Sequence, residues 1–201
     1  VQLHKPDVVD AATAILDSYG IADLTMRRLA RELNVSPGAL YWHFANKQEL
    51  LGAVADRILQ PTGTDAGGFG WREKIHGICA ALRDALLSHT DGAELVSSSF
   101  ATGQSARAAA IVTQLADAAR DAGVAAQDAE TAARTVMYYV LGFTVDEQSR
   151  LQWDAAGALS DEQSVLMADT GREFGFGLQL LVDGLAVHGG ADLGALRAKA
   201  E

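Results

Sequence analysis

The sequence holds one cysteine, three prolines and too few positive charges for its length of 201 residues. Cys79 has no second cysteine to pair with, which excludes an intrachain disulfide and makes a reducing cytoplasm the expected setting. The prolines stand at positions 6, 37 and 61, so the 140 residues after Pro61 are free to form long helices without a break. No apolar run approaches the roughly 18 residues of a membrane-spanning helix. The longest, residues 136–145, is ten residues long and contains Gly142 and Thr144. The first twenty residues carry Asp7, Asp10 and Asp17 and no apolar block, which argues against a secretory signal. Alternating β-branched runs and internal repeats are also missing, so the expected fold class is all-α.

The shortage of positive charge is uneven. Sixteen Lys and Arg face 26 Asp and Glu, a formal net charge of -10. Residues 1–50 carry five basic and six acidic side chains, whereas the remainder carries eleven and twenty. Across residues 25–47 the balance inverts: Arg27, Arg28, Arg31 and Lys47 stand against Glu32 alone. The one locally positive segment therefore surrounds the aromatic stretch SPGALYWHFANKQEL at residues 36–50. An acidic protein with one basic end can still approach a polyanion, because its field orients that end toward it.

What is present reads as helix nearly throughout. A first helix is expected to start at Pro6, with Val8, Val9, Ala12, Ile15, Leu16 and Tyr19 on one face and Gly20 as its stop. Thr25 is an N-cap for a short second helix that turns Leu29, Ala30 and Leu33 inward and the three arginines outward. Asn34 suits a left-handed stop, and Ser36-Pro37 is a cap followed by proline at the first helical position. Asn46 to Glu49 forms a capping-box pattern for a fourth helix, residues 46–60, with Leu50, Leu51, Val54, Ile58 and Leu59 inward. Residues 62–70, with four glycines, read as a loop. Trp71, Ile75, Ile78, Leu82 and Leu86 mark a fifth helix, and Asp91-Gly92 a turn. Further helices are expected at about 105–122, 127–149 and 166–188. The last shows Phe174, Leu178, Leu181 and Leu185 on one face, with Gly175, Gly177 and Gly184 allowing a close helix neighbour.

A short helix, a turn at 34–36 and a second short helix form a helix-turn-helix pattern, in which the second helix enters the major groove of DNA. Gly38 and Ala39 are small enough for close approach, and Pro37 and Ala39 offer apolar contact to thymine methyl groups. Leu40 and Phe44, four apart, are expected to face the core, with Tyr41 and His43 toward DNA. Thr25, Arg27, Arg28, Ser36 and Lys47 complete the candidate DNA-binding set. Taken alone, the run YWHF fits a core aromatic cluster equally well; the turn, the caps and the local charge favour DNA binding.

The segments LTMRRLA at 24–30 and LYWHF at 40–44 together resemble the DNA-binding domain of the TetR family of transcriptional repressors. ALLSHTDGA at 85–93, Leu141-Gly142 with Asp146-Glu147-Gln148, and Phe176-Gly177-Leu178 with Gly184-Leu185 are similar to stretches in the C-terminal part of tetracycline-responsive members. The resemblance implies a DNA-binding domain at 1–47 and a ligand-binding and dimerisation domain at 48–201, joined by the helix 46–60. It also implies a homodimer formed through the helices near 127–149 and 166–188, double-stranded operator DNA and a small-molecule effector as partners, and no membrane. In the tetracycline-responsive members a histidine binds drug-borne magnesium; the matching position here is Val96, and Ile78 and Leu82 stand where polar and aromatic drug contacts are found there. No metal and no cofactor are therefore expected, and a hydrophobic or aromatic effector is favoured over a tetracycline-type drug. The candidate effector residues implied are Ile78, Leu82, Val96, Phe100, Gln114, Arg134 and Met137. Arg134 has a competing role as the ion-pair partner of Glu130, four residues earlier.

Catalysis finds little support. The histidines at 4, 43, 76, 89 and 188 form no HExxH spacing. Gly67-Gly68-Phe69-Gly70 lacks the third glycine and the preceding strand of a dinucleotide site, and the serines at 97–99 lack the glycines of a nucleophile elbow. Asp146 and Glu147 are expected to be solvated neighbours on a helix rather than an acid–base pair. A purely structural helical adaptor leaves the small, aromatic face of residues 37–43 unexplained.

Overall fold

The computed structural model describes residues 3–60, 62, 70–160, 164 and 169–190. Among them the chain forms nine helices and no strand: α1 (Lys5–Tyr19), α2 (Met26–Glu32), α3 (Pro37–Tyr41), α4 (Lys47–Ile58), α5 (Trp71–Leu87), α6 (Gly92–Ala101), α7 (Ala106–Asp121), α8 (Ala126–Ala155) and α9 (Thr170–His188). None of these is long and apolar enough to cross a membrane. Residues 63–69 of the loop expected at 62–70, and the expected start of the last helix at 166, lie outside the described residues.

Two compact units emerge: Val1–Thr62 with Asp84–Ala109, and Gly63–Arg83 with Ala110–Glu201. In the first unit α2 packs on α1 and α3, while α4 packs on α1 and α6. α4 thus belongs with the helix-turn-helix helices, through buried Leu50, Val54, Ala55 and Ile58. Its seat on the segment after α6 is tight, because a Cβ added to Gly52 would lie 2.3 Å from the Gln104 carbonyl oxygen. One turn on, Asp56 Oδ1 accepts from Ser105 Oγ at 2.6 Å and from the Arg107 N–H at 2.9 Å, capping the start of α7. The end of α1 is tied to the α5–α6 corner: His89 Nδ1 lies 3.0 Å from Asp17 Oδ1, and Asp91 accepts from the Ile21 N–H at 2.8 Å. Asp91 itself takes a left-handed conformation, φ 52°, so the expected turn is a strained one.

Two details of α1 differ from the sequence expectation. The helix begins at Lys5, one residue before Pro6, because Asp7 accepts a hydrogen bond from the His4 N–H and so organises the first turn earlier. Val8, Ala12, Ile15 and Leu16 are buried, but Tyr19 is 56% exposed and leaves the apolar face. Gly20, at φ 78°, ends the helix there, and the ring stays outside.

In the second unit α8 and α9 pack together. α8 extends beyond the expected end at 149 to Ala155, since no helix breaker intervenes before Gly157, which closes it at φ 68°. On α9 the buried stripe is Phe174, Leu178, Val182 and Ala186; Leu181 and Leu185 are only half-buried. Of the three glycines expected to admit a neighbour, Gly177 does so, with Tyr139 Oη 2.3 Å from where a Cβ would stand. Gly175 and Gly184 face open space. The Tyr139 hydroxyl donates to the Phe174 carbonyl at 2.7 Å, and the rings of Tyr139, Phe143 and Phe174 cluster at 5.4–5.9 Å. Burial pushes the Tyr139 phenol up from its ordinary value.

Glu147 is a correction to the expected solvated acidic pair. It is 7% exposed and takes both Nε (2.9 Å) and Nη2 of Arg83 on its carboxylate. Arg83 also reaches Thr170 Oγ1 at 3.2 Å and stands over the Phe174 ring at 5.1 Å. Only Asp146 is solvent-facing, near Arg150 one turn on.

Candidate nucleic-acid interface

The helix-turn-helix is built by caps on both sides of its turn. Thr25 Oγ1 accepts from the Arg28 N–H at 3.1 Å and starts α2. Asn34 takes φ 52°, which brings the Val35 N–H onto the Ala30 carbonyl at 2.9 Å and ends it. Ser36 Oγ then accepts from the Ala39 N–H at 3.3 Å, and Pro37 opens α3. Leu40 and Phe44 are 0% and 2% exposed and anchor α3 from one side. Pro37, Gly38 and Tyr41 are exposed, with Ala39 and His43 half-buried, so the predicted reading face is free on the other. A Cβ on Gly38 would meet only Ser36 Oγ, at 3.7 Å, so this surface is open to a close approach.

Trp42 is the residue that sequence reasoning left without a role. It is 90% exposed, which excludes it from the core. The signal was present: Leu40 and Phe44 define the inward face, and a residue two positions from each points away from it.

On α2 and the turn before it, Asp23, Thr25, Arg27, Arg28 and Arg31 line a groove of about 260 Å³. Arg27 and Arg31 are exposed and have no ion-pair partner among the described residues, so no carboxylate there neutralises their charge. Arg28 is held differently, by Asp23 at 2.6 Å and by the Tyr19 ring. Lys47 stands at the first position of α4, whose N-cap Asn46 accepts from the Glu49 N–H at 2.8 Å. The Glu49 carboxylate in turn accepts from the Ala45 N–H at 2.8 Å and lies 3.3 Å from Lys5 Nζ. The Ala45 bond, helped by Lys5, holds the Glu49 carboxyl below its usual range.

The candidate effector residues are distributed between the units. In the second, Leu82 and Met137 are buried, Ile78 is half-buried and Gln114 is exposed. Arg134 gives its Nε–H to Glu130 at 3.0 Å, which is the competing role expected from their spacing, and this bond raises its already high pKa. Val96, buried, and Phe100, half-buried, belong to the first unit. Cys79, near Ile78 and Leu82 on α5, is fully buried, and burial pushes its thiol up to about 12, so it is no nucleophile at neutral pH.

Comparison with known proteins agrees with this geometry. Residues 8–54 match the family described as "Bacterial regulatory proteins, tetR family", and residues 64–165 match "Tetracyclin repressor-like, C-terminal domain". The chain is 32% identical over 199 residues to the tetracycline repressor protein class E of Escherichia coli, covering 93% of this chain and 92% of that protein. The crystal structure of Mycobacterium smegmatis BioQ is 72% identical, with a TM-score of 0.87, over 93% of this chain and 99% of that one. The crystal structure of BioQ with its natural double-stranded DNA operator is 68% identical, with a TM-score of 0.83, over 93% and 100% of the two chains. Two capped helices presenting an open, basic-flanked face, and matches that together span most of the sequence, place this chain in the TetR family: it is a ligand-responsive, DNA-binding transcriptional repressor and not an enzyme.

Proposed function

We propose that two copies of this chain bind one palindromic operator and that a hydrophobic or aromatic small molecule releases them. The observation that carries the first part is α3 itself. It has five residues, locked on one side by Leu40 and Phe44 and open on the other. So short a helix touches few base pairs, and tight specificity needs a second copy, with half-sites about one helical turn, roughly 34–36 Å, apart. The solved complex of BioQ with its operator supports DNA of this kind as the partner. Exposed Tyr138 on α8 and exposed Phe176, Leu180 and Val187 on α9 support those helices as the dimer contact, since monomers seldom leave so much apolar surface in water. Footprinting on a palindromic operator, with sedimentation of the complex, tests this. Two protected half-sites per dimer are expected, with affinity falling steeply with salt; monomeric binding to a single half-site overturns it.

Buried Leu82 and Met137 with half-buried Ile78 support an apolar effector held by the second unit. α4 is the proposed lever, because Gly52 and Asp56 tie it to the segment between α6 and α7 and any shift there moves the DNA-binding helices. A coupling of roughly 1–3 kcal/mol would change operator affinity roughly 5- to 150-fold. A tetracycline-type drug is the second reading, favoured by the likeness to the class E repressor. Valine at 96 speaks against it, because Asp146 without the histidine is a poor magnesium site. A thermal-shift screen containing aromatic metabolites and tetracycline with magnesium, followed by operator release, separates the two. A tight ligand that leaves operator affinity unchanged overturns the release mechanism.

A further inference from the structure

Three arginines of α2 line the basic groove, but only one of them is held in place. Arg27 and Arg31 are exposed and have no ion-pair partner among the described residues. The Arg28 side chain is 29% exposed, and its guanidinium is confined from two directions. Nη1 lies 2.6 Å from Asp23 Oδ1, and the guanidinium carbon stands 3.6 Å from the centroid of the Tyr19 ring. Tyr19 is the last residue of α1, more than half exposed, where helical periodicity would have turned it inward. The ring contributes little to the core and stacks instead on an arginine of the next helix. A planar guanidinium lying on a ring face, with one edge bound to a carboxylate, can no longer rotate freely. Asp23 uses Nη1, so the donors on Nη2 and Nε remain for an acceptor beyond the protein.

We infer that Tyr19 is a positioning residue for operator recognition: it stacks on Arg28 and, with Asp23, fixes the guanidinium plane so that its remaining donors meet the DNA already aligned. The inference rests on the reading of Arg28 as a DNA contact. It divides the work of α2. Arg27 and Arg31 follow phosphates as mobile charges, which tolerates imprecise geometry. Arg28 serves as a pre-oriented fork, and a fork is effective only when its plane is right. Removing the ring therefore weakens binding without removing any charge, and the salt dependence, which counts neutralised phosphates, stays the same.

The test is a double-mutant cycle on operator affinity in the full-length dimer, with melting temperatures measured in parallel. Tyr19→Leu keeps bulk without a ring face and should weaken binding roughly tenfold, the scale of a cation–π contact, with an unchanged salt slope. Tyr19→Phe keeps the ring and should bind like the wild type. In an Arg28→Ala background, Tyr19→Leu should cause no further loss. Wild-type binding by Tyr19→Leu, or the same tenfold loss with and without Arg28, overturns the inference while leaving Arg28 a DNA contact. Wild-type binding by Arg28→Ala overturns the underlying reading and the inference with it. A loss in Tyr19→Phe equal to that in Tyr19→Leu shows that the hydroxyl, not the ring, matters, and also overturns it.

Discussion

Helix α3 has five residues and α8 has thirty, and they are held in opposite ways. Five residues are too few to form a stable helix alone. α3 persists because Ser36 caps it, Pro37 presets its first turn, and Leu40 with Phe44 pins it to the unit beneath. Every one of these anchors lies within the same nine residues. α8 has no side-chain cap at its start. It is held by burial of Ala129, Ala133, Val136, Met137, Val140, Leu141 and Thr144, and by the pairing of Glu147 with Arg83, 64 residues away in sequence. The short helix is thus fastened locally and leaves its other face exposed, whereas the long helix depends on partners that only the fold brings to it.

The contrast can be broken from either side. Its strongest test is Glu147→Ala, which strands Arg83 in a mostly buried position and should cost about 3–5 kcal/mol of stability, measured by urea denaturation. A loss no larger than that of a surface substitution would mean that α8 does not depend on its distant partner. Leu40→Ala should follow, with a cost of about 2–5 kcal/mol and a loss of operator binding greater than the loss of folded protein explains. If operator affinity per folded molecule is unchanged, α3 is not fastened through Leu40. Ser36→Ala should cost about 1 kcal/mol, with a matching fall in melting temperature; a neutral result would move the weight of α3 onto its apolar anchors alone.

The smallest effect sharpens the comparison through pH. The Glu49 pKa is lowered in the folded protein by its bond from the Ala45 N–H, from an ordinary value of 4.5. Its contribution is therefore full at neutral pH and is lost as the pH falls through the depressed folded value. Glu49→Gln should be less stable than the wild type at pH 7, and the gap should close on acidification below 4.5. A gap that does not depend on pH would show that the carboxylate charge plays no part in the cap.

How far the sequence could be read follows the same division. Thr25, Asn34, Ser36 and Asn46 were identifiable as caps and stops, and each occupies that role. Leu40 and Phe44, four apart, were identifiable as one face. On α9 the same reasoning chose Leu181 and Leu185, whereas Val182 and Ala186 are the buried pair. Both choices are apolar, and only the position of the neighbouring helix decides between them. Tyr19 was assigned inward by periodicity and is instead drawn to Arg28, a preference that one-helix patterns do not contain. Glu147 carried no signal of burial, because its partner lies on another helix.

The sequence by itself determined the all-helical class, the helix-turn-helix, its caps and the sign of charge around it, because these depend on residues within one or two turns of each other. The tertiary structure decided which apolar face of α9 is buried, that Gly52 meets the Gln104 backbone, that Arg83 pairs with Glu147 and that the Arg28 guanidinium stacks on the Tyr19 ring. Those choices depend on helices meeting in space, and local spacing cannot specify which side chains then touch.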